Sequence, residues 1–540
     1  MTKAITDQGY DFIIVGSGSA GSVMAERLSE NGRHRVLLLE QGPGDSWISR
    51  MPKGYGMLVG DPHRASFFPI QHDAASLYPA ETWVRGKMLG GSSAINGMVW
   101  IRSGREDYDR LEEMGISGWN WDTMLPYLRK LEDHQLGANE YRGAGGPVEI
   151  NTNPYSNRLA DAFVAAGTEK GLPFKADQNG PELEGVGYAQ WNIDRSGRRV
   201  SSARAFLKKA AQRRNLTVHT HVTVERVMIE GRRAIGVSAT RGGHPVEYRA
   251  RREVILCAGA LASPKLLELS GIGDGEVLRA AGVSVVHHSP NVGKQMHEHL
   301  TLPLNFRLRE WRDSQNREFG GWRLFRNIAR YMASGTGPMA IGAAEAIAFI
   351  RANPASKRAD TQIMFNPYTV EKGPKGQIGF EKEPGMQCYS YLLRPTSKGS
   401  VHITSNDPAA PLSINANYLG TDDDRANAIA GTRAMRDIVA AEAFGSLVVG
   451  ETEETRDAKS DDEILGLYRK HGQSGYHAVG TAAMGPGHDA VVDHRLRVRG
   501  VEGMRVMDCS VFPEIPSGNT NAPTMAASWR ASDLIQEDNR

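Results

Sequence analysis

"YDFIIVGSGSAGSVMAERLSENGRHRVLLLEQGP", residues 10–43, sets out in order a strand, a glycine turn, a helix and a second strand. Residues 12–15 form a short apolar run that suits a buried parallel strand, and Gly16-Ser17-Gly18-Ser19-Ala20-Gly21 follows at once. Ala20, Met24 and Leu28, with Val23 beside them, then recur at helical spacing. In such a unit Gly16 allows the tight turn, Gly18 opens the backbone to a pyrophosphate, and Gly21 lets the helix lie close to the strand. The positive end of the helix faces the phosphates, with Ser19 and Ala20 in the binding set. The second strand, 36–39, ends in Glu40, about twenty residues past the fingerprint, where a carboxylate accepts hydrogen bonds from an adenosine ribose. The pattern predicts an α/β, Rossmann-like dinucleotide domain. It leaves FAD and NAD open, because both use this turn. The other dense glycine cluster, "GAGGP" at 143–147, ends in proline without a strand and helix around it and reads as a turn, so one dinucleotide is implied.

A chain of 540 residues exceeds one hydrophobic core, and two domains, or one large domain with an inserted second, are expected. With 40% apolar and 23% charged residues it has the composition of an ordinary globular protein. The 64 Lys and Arg against 62 Asp and Glu leave a formal charge of +2, which gives no footing for nucleic acid. Cys257, Cys388 and Cys509 are widely spaced, with no metal-ligand pattern, so a disulfide framework and a metal site are both disfavoured. The polar start "MTKAITDQGYDF" lacks a signal-peptide core, and no apolar run reaches membrane-span length. A cytoplasmic protein is expected.

At "RGKMLGGSSAINGMVW", residues 85–100, the sequence resembles the glucose-methanol-choline family of flavoprotein oxidoreductases. Arg85, Lys87, Gly90, Gly91, Ser92 and Asn96 match its first signature, where the resemblance implies a loop around the FAD pyrophosphate and flavin ring. Paired glycines and serine hydroxyls supply donors suited to that task. "GALASPKLLELSGIG", 259–273, matches the second signature position by position. "HVTVERV" places Val222 where relatives meet the adenine, and "MRVMDCSVFPEIPSGNTNAPT" places Asp508 near the FAD ribitol and Thr520 in the cofactor set. Ile95 stands where some members carry a flavin-linking histidine, so noncovalent FAD is implied. Ser103, Ala478 and Ala482 depart from the family pattern, which bears on substrate fit more than on fold.

The family architecture divides the chain into an FAD domain at 1–155, 197–305 and 475–540, and an α+β substrate domain at 156–196 and 306–474 built on an antiparallel sheet. Alternation in "SVHITSN" and "QIMFNPY", with Tyr389 and Tyr391 in "QCYSYLLRP", suits that sheet. Phe365, Tyr389 and Tyr391 fit either core packing or a pocket wall. Near 322–332, Phe325, Ala329 and Met332 share one helical face and Arg323, Arg326 and Arg330 another. Packing on the substrate domain is the simpler reading of this helix. Capping the active site or lying on the inner face of a membrane are the alternatives.

"GYHAVGTAAMG", 475–485, holds one ionisable side chain of interest, His477. A lone histidine in such a stretch more often packs than reacts. The resemblance changes this: His477 matches the family's catalytic base, and Asn519 in "SGNTNAPT" its partner, preferred on register over Asn521. A neutral imidazole takes the hydroxyl proton while the α-hydride passes to flavin N5. Asn521 and Pro523 read as a capped helix start whose positive end would favour reduced flavin. The expected activity is FAD-dependent oxidation of an alcohol, primary in this reading, to the aldehyde, with a quinone or another acceptor, oxygen included, taking the electrons. An oxygen-using oxidase, a hydroxynitrile lyase and a photodecarboxylase are the family alternatives.

Overall fold

The computed structural model describes residues 4–5, 9–70, 81–152, 157–372 and 378–540; half of the polar start, residues 1–3 and 6–8, lies outside them. Tyr10–Val15 and Val36–Leu39 run parallel, with Phe12 opposite Val36 and Val15 opposite Leu39. Both are buried, which is why they read as continuous apolar runs rather than alternating ones. Around them the sheet order is Leu216–His219, Val36–Leu39, Tyr10–Val15, His244–Leu256, Arg233–Arg241 and Val222–Glu230, with Met504–Val506 also on His244–Leu256. That long strand serves two ladders. Its first half pairs antiparallel with Arg233–Arg241, and its end, Val254 to Leu256, pairs parallel with residues from both ends of the chain.

The glycine turn is fixed by close approach. Gly16 has φ +98°, and a Cβ there would lie 2.5 Å from the Cys257 carbonyl oxygen; one on Gly21 would lie 1.8 Å from the Gly16 carbonyl oxygen. The helix Ser19–Ser29 can therefore sit against the strand. The C-terminal helix Asn521–Asp538 packs on it: Ser528 Oγ donates to the Ala20 carbonyl at 2.8 Å, and the Arg27 guanidinium lies 4.9 Å from the Trp529 ring centre.

A second sheet is antiparallel, in the order Val448–Glu451, Leu300–Leu308, Gly385–Leu392, Thr361–Asn366, Ala346–Ile350 and Gly185–Tyr188. Period-two alternation divides its work. Leu302, Leu304 and Phe306 enter a core with Phe163 and Phe365, whose rings stack at 5.4 Å, while Thr301, Pro303 and Asn305 face a cavity. Two expectations change here. Ser400–Ile403 pairs with Leu412–Asn415 in a separate hairpin, not in this sheet. The border drawn at 305/306 falls inside one strand, because residues 301–307 pair continuously with 385–391. No helix among the described residues is long and apolar enough to cross a membrane.

Candidate active site

One cavity of about 2190 Å³ extends from the glycine turn to the face of the antiparallel sheet. A pocket for a drug-sized ligand occupies about 300–1,000 Å³, so this one has room for a dinucleotide and a substrate together. Gly16, Gly18, Ser19, Ala20, Glu40, Gly91, Ser92, Asn96, Val222, Asp508, Asn519 and Thr520 border it, as do Arg85 and Lys87. Gly21 and Gly90 stand behind its wall: Gly21 packs on Gly16, and the Gly90 N–H donates to the Ser17 carbonyl at 3.1 Å. A Cβ on Gly91 would lie 2.7 Å from Gly18 Cα, so the two glycine loops converge at backbone contact.

Several of these side chains are already engaged. The Glu40 carboxylate accepts from Ser17 N–H at 3.0 Å, Ser17 Oγ at 2.6 Å and Gly42 N–H at 2.8 Å, tying the second strand to the turn. Burial pushes its pKa up, and those donors oppose the rise. The Val222 N–H donates to the Glu40 carbonyl at 2.9 Å. Asp508 accepts from Gly259 N–H, Ser263 Oγ and Ser510 N–H at 2.9, 2.5 and 2.8 Å, which joins the second signature to the C-terminal segment. Asn96 Oδ1 accepts from buried Arg199 at 2.7 Å. The Lys87 ammonium donates to the Pro62 carbonyl at 2.5 Å, while the Arg85 guanidinium stands 3.7 Å from Glu298. Ile95 is buried in the wall and has no nucleophilic atom.

At the other end three segments meet. His299 immediately precedes the strand Leu300–Leu308, His477 follows the strand Gln473–Ser474, and Asn519 lies just before the C-terminal helix. The His477 backbone is pinned: its N–H donates to Glu298 Oε1 at 2.7 Å, and Tyr476 before it takes a positive φ of 63°. His299 Nε2 is 3.0 Å from the Leu393 carbonyl, His299 Nδ1 is 2.9 Å from His477 Nδ1, and His477 Nε2 is 3.1 Å from Asn519 Nδ2. A carbonyl only accepts, so His299 carries its proton on Nε2 and offers Nδ1 as an acceptor. His477 then donates from Nδ1, and its Nε2 lone pair, at the cavity wall, accepts from the Asn519 amide. Burial, then His299 and Arg85, hold the His477 pKa well below the ordinary imidazole value. Burial likewise lowers His299, to about 4, and raises Glu298 to about 7.

The helix start differs from expectation in one residue. Thr520 is the cap and Asn521 the first helical residue, so the Asn521 side chain is free to cross and accept from Ser19 Oγ at 2.7 Å. Asn519 Oδ1 and Asn521 Nδ2 are buried with no partner among the described residues. An unpaired acceptor and donor at a helix N-terminus fit the donor and acceptor edge of a flavin pyrimidine. Convergent glycine loops at the far end fit its pyrophosphate.

A family profile described as GMC oxidoreductase matches residues 10–301, and a second with the same description matches 395–528. The chain belongs to the GMC oxidoreductase family. It is 36% identical over 533 residues to the oxygen-dependent choline dehydrogenase of Chromohalobacter salexigens, covering 98% of this chain and 95% of that protein. The oxygen-dependent choline dehydrogenase of Pseudomonas syringae pv. tomato is 36% identical, with 98% and 94% covered. Among solved structures, pyridoxine 4-oxidase from Mesorbium loti superposes with a TM-score of 0.88 at 30% identity, covering 98% of this chain and 99% of that one. Formate oxidase does so at 0.89 and 26% identity, with 100% and 99% covered. As a member of the GMC family, the protein is an FAD-dependent oxidoreductase acting on CH–OH donors.

His299 and Glu298 are site residues that the sequence alone does not point to. "HEH" at 297–299 carried the signal, but no spacing tied it to His477, 178 residues away. The aromatic residues left open there are sorted by the fold: Phe365 lies in the core, whereas Tyr389 and Tyr391 border the cavity, Tyr391 stacked on His477 at 6.1 Å.

Proposed function

We propose that the protein oxidises a primary alcohol to the aldehyde, with His477 as the base for the hydroxyl proton and Asn519 as donor to the substrate oxygen. The observation that carries this reading is the chain from the Leu393 carbonyl through His299 to His477, which leaves His477 Nε2 unprotonated at the cavity wall. A hydroxyl entering between the two takes the place of the Asn519 N–H on Nε2, donates to that lone pair and accepts from the amide. The lowered His477 pKa keeps the ring neutral at neutral pH, the state a base requires. FAD, when bound, supplies the hydride acceptor. Gly16, Gly18, Ser19, Ala20, Glu40, Arg85, Lys87, Gly91, Ser92, Asn96, Val222, Asp508 and Thr520 border its place in this reading, with Gly21 and Gly90 shaping the loops from behind.

The test is anaerobic rapid mixing of the FAD-loaded protein with aliphatic, aromatic and amino alcohols. His477→Ala is expected to keep its flavin bands and reduce the flavin about 100- to 10,000-fold more slowly. A near wild-type rate would make His477 structural.

In the same reading the domains keep the division given above, with residues 300–305 moved to the substrate side. Electrons pass to a quinone or another organic acceptor at the inner face of a membrane, which the helix Gly321–Ser334 contacts. Oxygen is the second reading for the acceptor, favoured by similarity to dehydrogenases named oxygen-dependent. Peroxide formed one-for-one at the rate of dye reduction decides for oxygen.

A further inference from the structure

The helix Gly321–Ser334 packs through the face opposite to the one its apolar stripe advertises. Asn327 and Tyr331 are buried, and Leu324 and Ile328 lie against Met51, Phe319 and Tyr368 and border the cavity. Trp322, Phe325 and Met332 are left 66%, 74% and 64% exposed. With 3.6 residues per turn, these three and Ala329 form one outward stripe, and Arg326, Arg330 and Arg323 form the stripe beside it. The helix contains no acidic residue, and residues 316–334 hold four arginines against one glutamate. That glutamate, Glu318, is paired with Arg323 at 2.8 Å and Arg326 at 2.7 Å. Trp47, also exposed, belongs to the Trp47–Arg50 turn whose Arg50 carbonyl accepts from Tyr331 at 3.4 Å.

We propose that this stripe docks on an anionic lipid bilayer. This deepens the membrane contact in the functional reading and rests on it. Trp322, Phe325 and Met332 enter the boundary between headgroups and acyl chains, and the arginines meet lipid phosphates. An amphipathic helix with an apolar face, a cationic flank and a tryptophan has the chemistry of that boundary. A second copy of the chain fits less well: an isologous contact would bring this cationic helix against itself, with its one nearby carboxylate already paired. Because the opposite face borders the cavity, docking sets the substrate cavity about one helix diameter, ~10 Å, from the lipid.

The experiment is co-sedimentation of the FAD-loaded protein with vesicles of phosphatidylcholine alone or mixed with phosphatidylglycerol. Binding is expected with the anionic vesicles only, and it should weaken with salt. W322S/F325S and R326Q/R330Q, both on exposed positions, should each lower the bound fraction about tenfold or more. Both variants should keep wild-type FAD content and wild-type flavin reduction by water-soluble alcohols. No binding to anionic vesicles, or equal binding by wild type and W322S/F325S, overturns the proposal. So does a dimer in analytical ultracentrifugation that W322S/F325S converts to monomer, which assigns the face to a second copy. Failure of every alcohol to reduce the flavin would strike the functional reading and leave the sedimentation result intact.

Discussion

Replacing His299 with alanine removes the acceptor for the His477 Nδ1 proton without touching the cavity-side Nε2. His299 is fully buried, so that N–H is left facing a buried gap. A buried donor without a partner costs about 1–3 kcal/mol. The ring escapes by turning or by moving its proton to Nε2, and either leaves the lone pair misplaced for a substrate hydroxyl. If the whole cost appears in the barrier, at about 1.4 kcal/mol per tenfold, flavin reduction slows about 5- to 150-fold. His299 does not face the substrate in this geometry, so the substrate concentration giving half the maximal reduction rate should change little. The conservative variant supplies the control. In His299→Asn the side-chain oxygen can take the Nδ1 position and accept the same proton, so most of the rate should return, although the bond to the Leu393 carbonyl is lost. Anaerobic stopped-flow at matched FAD content measures both. Wild-type reduction by His299→Ala, or an asparagine variant as slow as the alanine one, would refute the tautomer argument.

Burial depresses the His477 pKa, so the base stays neutral as pH falls through the ordinary imidazole value of about 6.5. The flavin-reduction rate should hold there and fall only in more acidic buffer; a decline centred at or above 6.5 would contradict the assignment. Because Ile95 offers no atom for a flavin bond, acid precipitation should leave a yellow supernatant and a colourless pellet, and a yellow pellet would show covalent attachment. Buried Arg505 bridges Glu253 at 2.6 Å and Asp538 of the C-terminal helix at 2.8 Å. Arg505→Ala leaves Glu253 with the Asn539 amide alone among the described residues, while Asp538 keeps Arg495 and Arg497, and it should lower unfolding stability by about 1–3 kcal/mol, read by urea denaturation of the FAD-loaded protein. A loss below about 1 kcal/mol would mean the bridge behaves like an exposed pair.

The dinucleotide unit was legible because its demands are local. Gly16 and Gly21 are required by contacts within a few residues or with the adjacent strand, and those requirements are written as residue type. The antiparallel sheet was half legible, since alternation marks a strand without naming its partner. "SVHITSN" alternates as well as "QIMFNPY" does, yet it pairs elsewhere. The exposed helix shows the same limit. Its two stripes could be read from spacing, but the buried face could not, because Asn327 goes inward on bonds to the Glu318 carbonyl and carboxylate, each at 2.9 Å. The pairing of His299 with His477 belongs wholly to tertiary structure.

The bond from Ser19 to Asn521 spans 502 residues. A chain leaving the ribosome at about 5–20 residues per second exposes its glycine turn roughly 25–100 s before the helix that closes the other end of the groove. Until then the strand His244–Leu256 lacks its Met504–Val506 neighbour, and the helix Ser19–Ser29 lacks the Asn521–Asp538 cover it has in the finished fold. The cofactor groove is thus completed by residues made long after its glycine turn, and the vitamin-derived group that should fill it finds its full set of contacts only then. Yield of loaded protein in a producing cell should therefore follow flavin supply and chaperone capacity at that late step, more than the strength of the early nucleus.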